Sequence, residues 1–211
     1  MSKNLLLRKL RIDHVDFIDS KELDSYCSTL GRDYSTSVRY LLARKYMVRI
    51  FRGIFYVKSV EERDSGANRY NHLELVSKGL KLKGVDRWYF SLHTALKFNN
   101  ATHESFSIDD IMSASIFRAR PMAIAGHNFK FYKVSNKLMD FGIVEKDGMQ
   151  YSDLEKTILD FAYLWRYGGL SDAKIAAGLS EWSSGASKEK MKKYISNYPK
   201  ALKGTMDAVM E

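Results

Sequence analysis

The residues best able to act on a partner lie together in "RYLLARKYMVRIFRGIFYVKS", residues 39–59. This stretch holds Arg39, Arg44, Lys45, Arg49, Arg52 and Lys58, no acidic residue, and apolar side chains between the charges. Cations spaced in this way neutralise a row of negative charges. Nucleic-acid phosphate is the first candidate for that row and an anionic membrane surface the second. With Arg32 included, seven basic residues stand between Gly31 and Ser59 against one acid, Asp33. Ser35, Thr36, Ser37 and Tyr40 add hydroxyls of the kind that bond phosphate oxygens and base edges. The predicted contact set is therefore Arg32, Ser35, Thr36, Ser37, Arg39, Tyr40, Arg44, Lys45, Arg49, Arg52 and Lys58.

Other constellations point to chemistry less directly. Asp109 and Asp110, with Glu145 and Lys146 further on, have the residue types of a nuclease site. Asp153, Glu155 and Asp160 have the types of a metal site. Helix capping and first-turn charge explain the first two of these three more simply, with Ser152 and Glu155 spaced as a capping box. The five histidines, His14, His72, His93, His103 and His127, show neither H-x-x-x-H nor H-E-x-x-H spacing. Ser91 and His93 are two apart without a G-x-S-x-G elbow. Neither a P-loop nor a G-x-G-x-x-G fingerprint occurs. The expectation is a non-enzymatic protein without cofactor or metal.

The elements that must carry the basic stretch follow from periodicity. Leu5–Leu10 reads as a short amphipathic helix. A second begins near Ser20, with Leu23, Tyr26, Cys27 and Leu30 at i, i+3, i+4 and i+7, and Gly31 stops it. Cys27 falls on the buried stripe, as a small core residue rather than a reactive thiol. A third helix spans about 34–45, with Val38, Leu41 and Leu42 as its apolar face. Thr36, Tyr40 and Ala43 lie opposite, flanked by Arg39 and Arg44. Tyr40 stays open between groove and core. "MVRIF" and "IFYVK", joined by Arg52-Gly53, predict a tight hairpin. Three helices followed by a basic ribbon predict a winged helix-turn-helix. In that design the third helix enters the DNA major groove and the hairpin meets the neighbouring backbone.

At 211 residues, with a net charge of +9 and pI near 9.4, the chain suits a polyanion. One cysteine excludes a disulfide framework, and no apolar run has transmembrane length. A cytoplasmic monomer is expected. "SVEERDSGA" (59–67) reads as a boundary between a DNA-binding domain over 1–62 and a larger domain over 63–211. In the second part, helices are expected at 68–82, 153–166 and 171–182, with a long one near 187–210 bent at Pro199. Strands are expected at "RWYF", "FKFYKV" and "GIVEK", making the whole chain α+β.

The order of three segments, "RIFRGIFYV" (49–57), "WYFSLHTAL" (88–96) and "LEKTILDFAYLWRYGGL" (154–170), resembles the AbiEi family of antitoxins. The matching residues are Arg49, Arg52, Gly53 and Tyr56; then Tyr89, Ser91, Ala95 and Leu96; then Glu155, Lys156, Thr157, Leu159, Asp160, Gly168 and Gly169. The resemblance spans about residues 20–170 and leaves the basic C-terminal helix unmatched. It implies the antitoxin of a type IV toxin–antitoxin pair linked to abortive phage infection. Such a protein represses its own operon through promoter inverted repeats in double-stranded DNA. It counteracts a nucleotidyltransferase-type toxin without forming a stable complex. A stand-alone winged-helix regulator with an effector domain and a nucleic-acid-processing enzyme are the two alternatives.

Overall fold

The computed structural model describes residues 5–210. The chain is an α+β protein of two compact units. The first is Met1–Asp86 with Ala123–His127; the second is Arg87–Met122 with Asn128–Glu211. No helix among the described residues is long and apolar enough to cross a membrane.

The first unit runs α1 (Leu5–Ile12), β1 (Phe17–Asp19), α2 (Ser20–Thr29), α3 (Tyr34–Ala43), β2 (Met47–Phe51), β3 (Ile54–Val57), α4 (Val60–Ser65) and α5 (His72–Leu82). Leu6, Leu7 and Leu10 of α1 pack with Leu23 and Cys27 of α2, Val38 and Leu41 of α3, and Met47, Phe55 and Val57 of the hairpin. The α2 helix is capped by Asp19, whose carboxylate accepts from the N–H groups of Lys21 (2.8 Å) and Glu22 (2.9 Å). Ser20, the expected cap, is the first helical residue instead. Gly31 takes φ +61° after α2, a turn that glycine makes without steric cost. Asp33 caps α3 by accepting from the Thr36 N–H at 2.7 Å. The helix ends two residues before the expected Lys45, which itself holds a left-handed φ of +57°.

β1 has no signature in the sequence, because three residues are too few to show an alternation. It pairs antiparallel with β3 through Phe17–Tyr56 and Asp19–Ile54, completing a sheet of order β1-β3-β2. The first unit also continues past the boundary expected at 62/63. Glu62 accepts hydrogen bonds from the Ser59 N–H (2.8 Å), the Tyr56 hydroxyl and the Arg69 N–H, so the polar stretch is an anchored helix and not a linker. Then α5, with an Asn71/Glu74 capping box, buries Leu75, Val76 and Leu80. Its Gly79 sits so close to the hairpin that a Cβ there would lie 2.7 Å from Ile50 Cγ2.

The second unit contains β4 (Trp88–Phe90), α6 (Leu92–Phe98), β5 (Ile108–Ser113), all but the first residue of β7 (His127–Lys133), β8 (Ile143–Lys146) and β9 (Met149–Ser152), while β6 (Met122–Ile124) has two of its three residues in the first unit. The helices α7 (Leu154–Tyr167), α8 (Asp172–Ser183), α9 (Lys188–Tyr194) and α10 (Lys200–Met210) follow. Strands β7, β5, β4, β9 and β8 lie side by side in that order. β5 pairs parallel with β7 and antiparallel with β4, and β4 pairs parallel with β9. α7 is buried without a break from Glu155 to Ala162. Packed with it are Ile175 and Leu179 of α8, Met191 of α9 and Leu202 and Met206 of α10.

Two sequence expectations change here. The cap of α7 is Asp153, accepting from the Lys156 N–H at 2.9 Å. Ser152 is the last residue of β9, and its hydroxyl faces Thr157 Oγ1 at 2.7 Å. The final basic helix is two helices: a 3-10 turn (Ile195–Asn197) and the extended Tyr198 precede Pro199, after which α10 starts afresh.

Candidate nucleic-acid interface

Residues four apart on a helix share a face, and on α3 this splits the predicted contact set. Ser35 and Arg39 face the hairpin. Together with Arg49 and Arg52 they line a groove of about 760 Å³ floored by Val38, Leu42 and Phe55. The Arg49 guanidinium lies 5.7 Å over the Phe55 ring, its cross-strand partner, which holds it at the groove wall. Arg52 is exposed at the hairpin turn. The next residue, Gly53, takes φ +77°, and its carbonyl accepts from the Ser20 N–H at 2.8 Å. The turn is thereby fixed to the start of α2. Three arginines and no carboxylate line the groove, and none of the three is ion-paired among the described residues.

Arg32, Thr36, Ser37 and Tyr40 lie on the other side of α3, around a recess of about 380 Å³. Three of them serve the fold. Thr36 bonds Asp33 through both its side chain and its N–H, which hold that carboxyl below its ordinary range. Ser37 hydrogen-bonds the Cys27 thiol, which burial pushes up and which is fully enclosed. The half-buried Tyr40 packs against the core, 6.1 Å from the Tyr46 ring. Arg44 and Lys45 are exposed at the C-terminal end of α3, and the half-buried Lys58 follows β3. The groove also contains Ser20, Tyr34 and Gly53, which were not in the predicted set. Ser20 reaches it only because β1 pairs with β3, a contact with no local signal.

The second unit brings together other residues that had invited a chemical reading. Asp160, fully buried, accepts from the hydroxyls of Tyr198 (2.7 Å), Ser91 (2.8 Å) and Tyr89 (3.0 Å). The Lys156 ammonium stands 3.7 Å from the same carboxylate and 4.2 Å over the Phe141 ring. Burial lowers its pKa and Asp160 opposes that shift. Burial, reinforced by Asp160, drives the Tyr89 and Tyr198 hydroxyls well up, so both remain donors. Glu155 accepts from the Ser187 N–H and from Lys190, both at 2.9 Å, and Asp153 lies 3.1 Å from Lys190. Lys190, from the basic C-terminal stretch, is thus held between two carboxylates. Asp109 and Asp110 are on β5 and Glu145 is on β8, three strand positions away, or about 14 Å at the usual spacing. The fold does not assemble those three carboxylates. No group of three or more metal-ligating side chains occurs among the described residues.

No family model matches the chain, and no curated protein matches it. Among solved structures, the crystal structure of the RV2827C protein from Mycobacterium tuberculosis is similar, with a TM-score of 0.65. The likeness covers 99% of this chain and 76% of that one at 11% sequence identity, a degree of similarity that shows a shared fold.

Proposed function

We propose that this protein binds double-stranded DNA through a winged helix-turn-helix in its first unit and represses transcription from the DNA it holds. One observation carries the reading: Arg39 from α3 and Arg49 and Arg52 from the hairpin converge on one groove that no carboxylate lines. The order α1-β1-α2-α3-β2-β3 is the order in which a winged helix presents a recognition helix and a wing. In this reading Ser35 and Arg39 approach base edges, while Arg49 and Arg52 take phosphates beside them.

The antitoxin role rests on the AbiEi resemblance. The repressor would sit on inverted repeats in its own promoter, in the cytoplasm. It would counteract a nucleotidyltransferase-type toxin without a stable complex, its second unit supplying the antitoxicity. Two experiments test the reading in sequence. Fluorescence anisotropy with the purified chain should show tighter binding to its own upstream DNA than to a scrambled duplex. Equal affinity would remove the repressor role. Co-expression with an adjacent nucleotidyltransferase should restore growth, and failure to do so would leave a regulator without antitoxin activity.

A further inference from the structure

A recess of about 400 Å³ in the second unit combines flat apolar walls with positive charge, and the groove on α3 plays no part in it. Its lining includes His93, Phe106, Asp110, Pro121, Lys130 and Tyr132. His93 is held on three sides. Its Nδ1 lies 3.2 Å from Asp110 Oδ2, and its ring meets Phe106 at 4.3 Å and Phe161 at 4.9 Å. Nε2 has no protein partner among the described residues and can hydrogen-bond a ligand as donor or acceptor. Asp110 is nearly enclosed, at 4% exposure, and Tyr132 donates to its carboxylate, with the phenol pKa raised by burial and by that carboxylate. Its charge is therefore engaged within the wall.

The surroundings are cationic. The Lys130 ammonium lies 5.6 Å over the Tyr132 ring and donates to the Ala119 carbonyl. Lys97 lies 5.4 Å over the Phe106 ring. Residues 114–133 contain Arg118, Arg120, Lys130 and Lys133 and no acid. A ligand suited to this place has a flat ring to lie on Phe106, Pro121 or Tyr132, an edge to hydrogen-bond His93, and an anionic group for Lys130. The volume is within the range of small-ligand pockets. A nucleotide has all three features, and base–aromatic stacking with a cation beside the phosphate is how proteins hold single nucleotides and single strands alike. We propose that this recess binds a nucleotide, either free or as one unit of a single strand.

The test is calorimetric titration of the full chain with AMP, GMP, CMP and UMP, and with a single-stranded RNA hexamer. At least one mononucleotide should bind saturably, and Phe106→Ala and Lys130→Gln should each weaken it about tenfold. Phe106→Tyr keeps the ring and should keep the affinity, and Arg52→Ala on the hairpin should leave the affinity for the mononucleotide unchanged. Thermal unfolding shows whether each variant is folded; Lys130→Gln decides the matter if the alanine variant is not. Stronger binding of the hexamer, sensitive to the same substitutions, identifies a strand, and equal or weaker binding identifies a free nucleotide. The proposal is overturned if no mononucleotide saturates by about 10 mM. It is also overturned if binding survives both substitutions in the recess or disappears with Arg52→Ala.

Discussion

Removing the groove arginines should change the salt dependence of DNA binding by an amount that the exposed charges set. Five predicted basic residues are exposed: Arg39, Arg44, Lys45, Arg49 and Arg52. If each neutralises one phosphate, log K falls with log salt at a slope of about −4.5, from about −0.9 per phosphate. Between about 50 and 200 mM salt the affinity then drops about 500-fold, close to 3.7 kcal/mol. The triple substitution Arg39→Ala, Arg49→Ala, Arg52→Ala leaves two of the five and should reduce the slope to about −1.8. Arg52→Ala alone should weaken binding to upstream and scrambled duplexes equally, since phosphate contacts carry no sequence information. Arg39→Ala should also cost discrimination between them, about 1–3 kcal/mol for a direct base contact. The assay is anisotropy on labelled duplexes of both kinds at several salt concentrations, with thermal unfolding to confirm the fold. A slope near zero, or one the triple substitution leaves intact, would refute the assignment of this groove to DNA.

Four further outcomes follow from the same geometry. Lys45→Gly should raise stability by about 1 kcal/mol in thermal unfolding, because a left-handed φ of +57° strains any side chain, and should also cut the DNA salt slope by about 0.9. Asp160→Asn should cost about 3–5 kcal/mol in denaturant titration, since it leaves the buried Lys156 ammonium without its counter-charge. Burial pushes the Glu62 carboxyl up, but the hydrogen bonds from Arg69, Tyr56 and Ser59 outweigh it and hold the carboxyl below its ordinary 4.5. Its contribution is therefore present above about pH 4.5 and is lost as pH falls through the lowered value. Glu62→Gln should lower stability at pH 7 by about 1–3 kcal/mol and flatten that acid limb. A fragment of residues 1–86 should fold and bind DNA, whereas residues 1–62 should show a broad, low-temperature unfolding transition, because the shorter piece lacks α5, whose Leu75, Val76 and Leu80 are fully buried in the chain and whose Gly79 packs against Ile50 of the hairpin.

Much of the first unit was legible because its helices are amphipathic and its hairpin turn is marked by Arg52-Gly53. What escaped reading had no local signature. β1 spans three residues and is defined only by its partner. The polar run after Ser59 has the composition of a linker, yet three donors on one carboxylate fix it in place. The Ser152/Glu155 spacing suits a capping box, but Asp153 is one residue closer to the helix and Ser152 is already committed to β9. In the interface the charges were legible and their sides were not. By helical periodicity Thr36 and Tyr40 form the outward face, because they oppose Val38 and Leu41. The hairpin, however, packs so that Ser35 and Arg39 line the groove, while Tyr40 turns onto the core. A helical wheel gives the angle between two residues and leaves open which neighbour each will meet.

Availability separates the charges that build this molecule from those that can meet a partner. Lys156 is fully buried against Asp160 and three aromatic rings, and Lys190 sits between Asp153 and Glu155. Both cations tie α7 to its surroundings; Lys156 is out of reach of any ligand, and the half-exposed Lys190 has its charge matched by two carboxylates. Ser91 and Asp160, which invite a chemical reading in sequence, spend their hydrogen-bonding capacity on each other and on Tyr89, Ser152 and Tyr198. Arg39, Arg49 and Arg52 differ in the respect that matters. They project from elements that are themselves pinned, α3 by the Asp33 cap and the hairpin by the Ser20–Gly53 hydrogen bond, and among the described residues no carboxylate forms an ion pair with them. Fixed backbone with uncompensated charge costs little reordering when a polyanion arrives, which favours a groove used for binding over a merely solvated face.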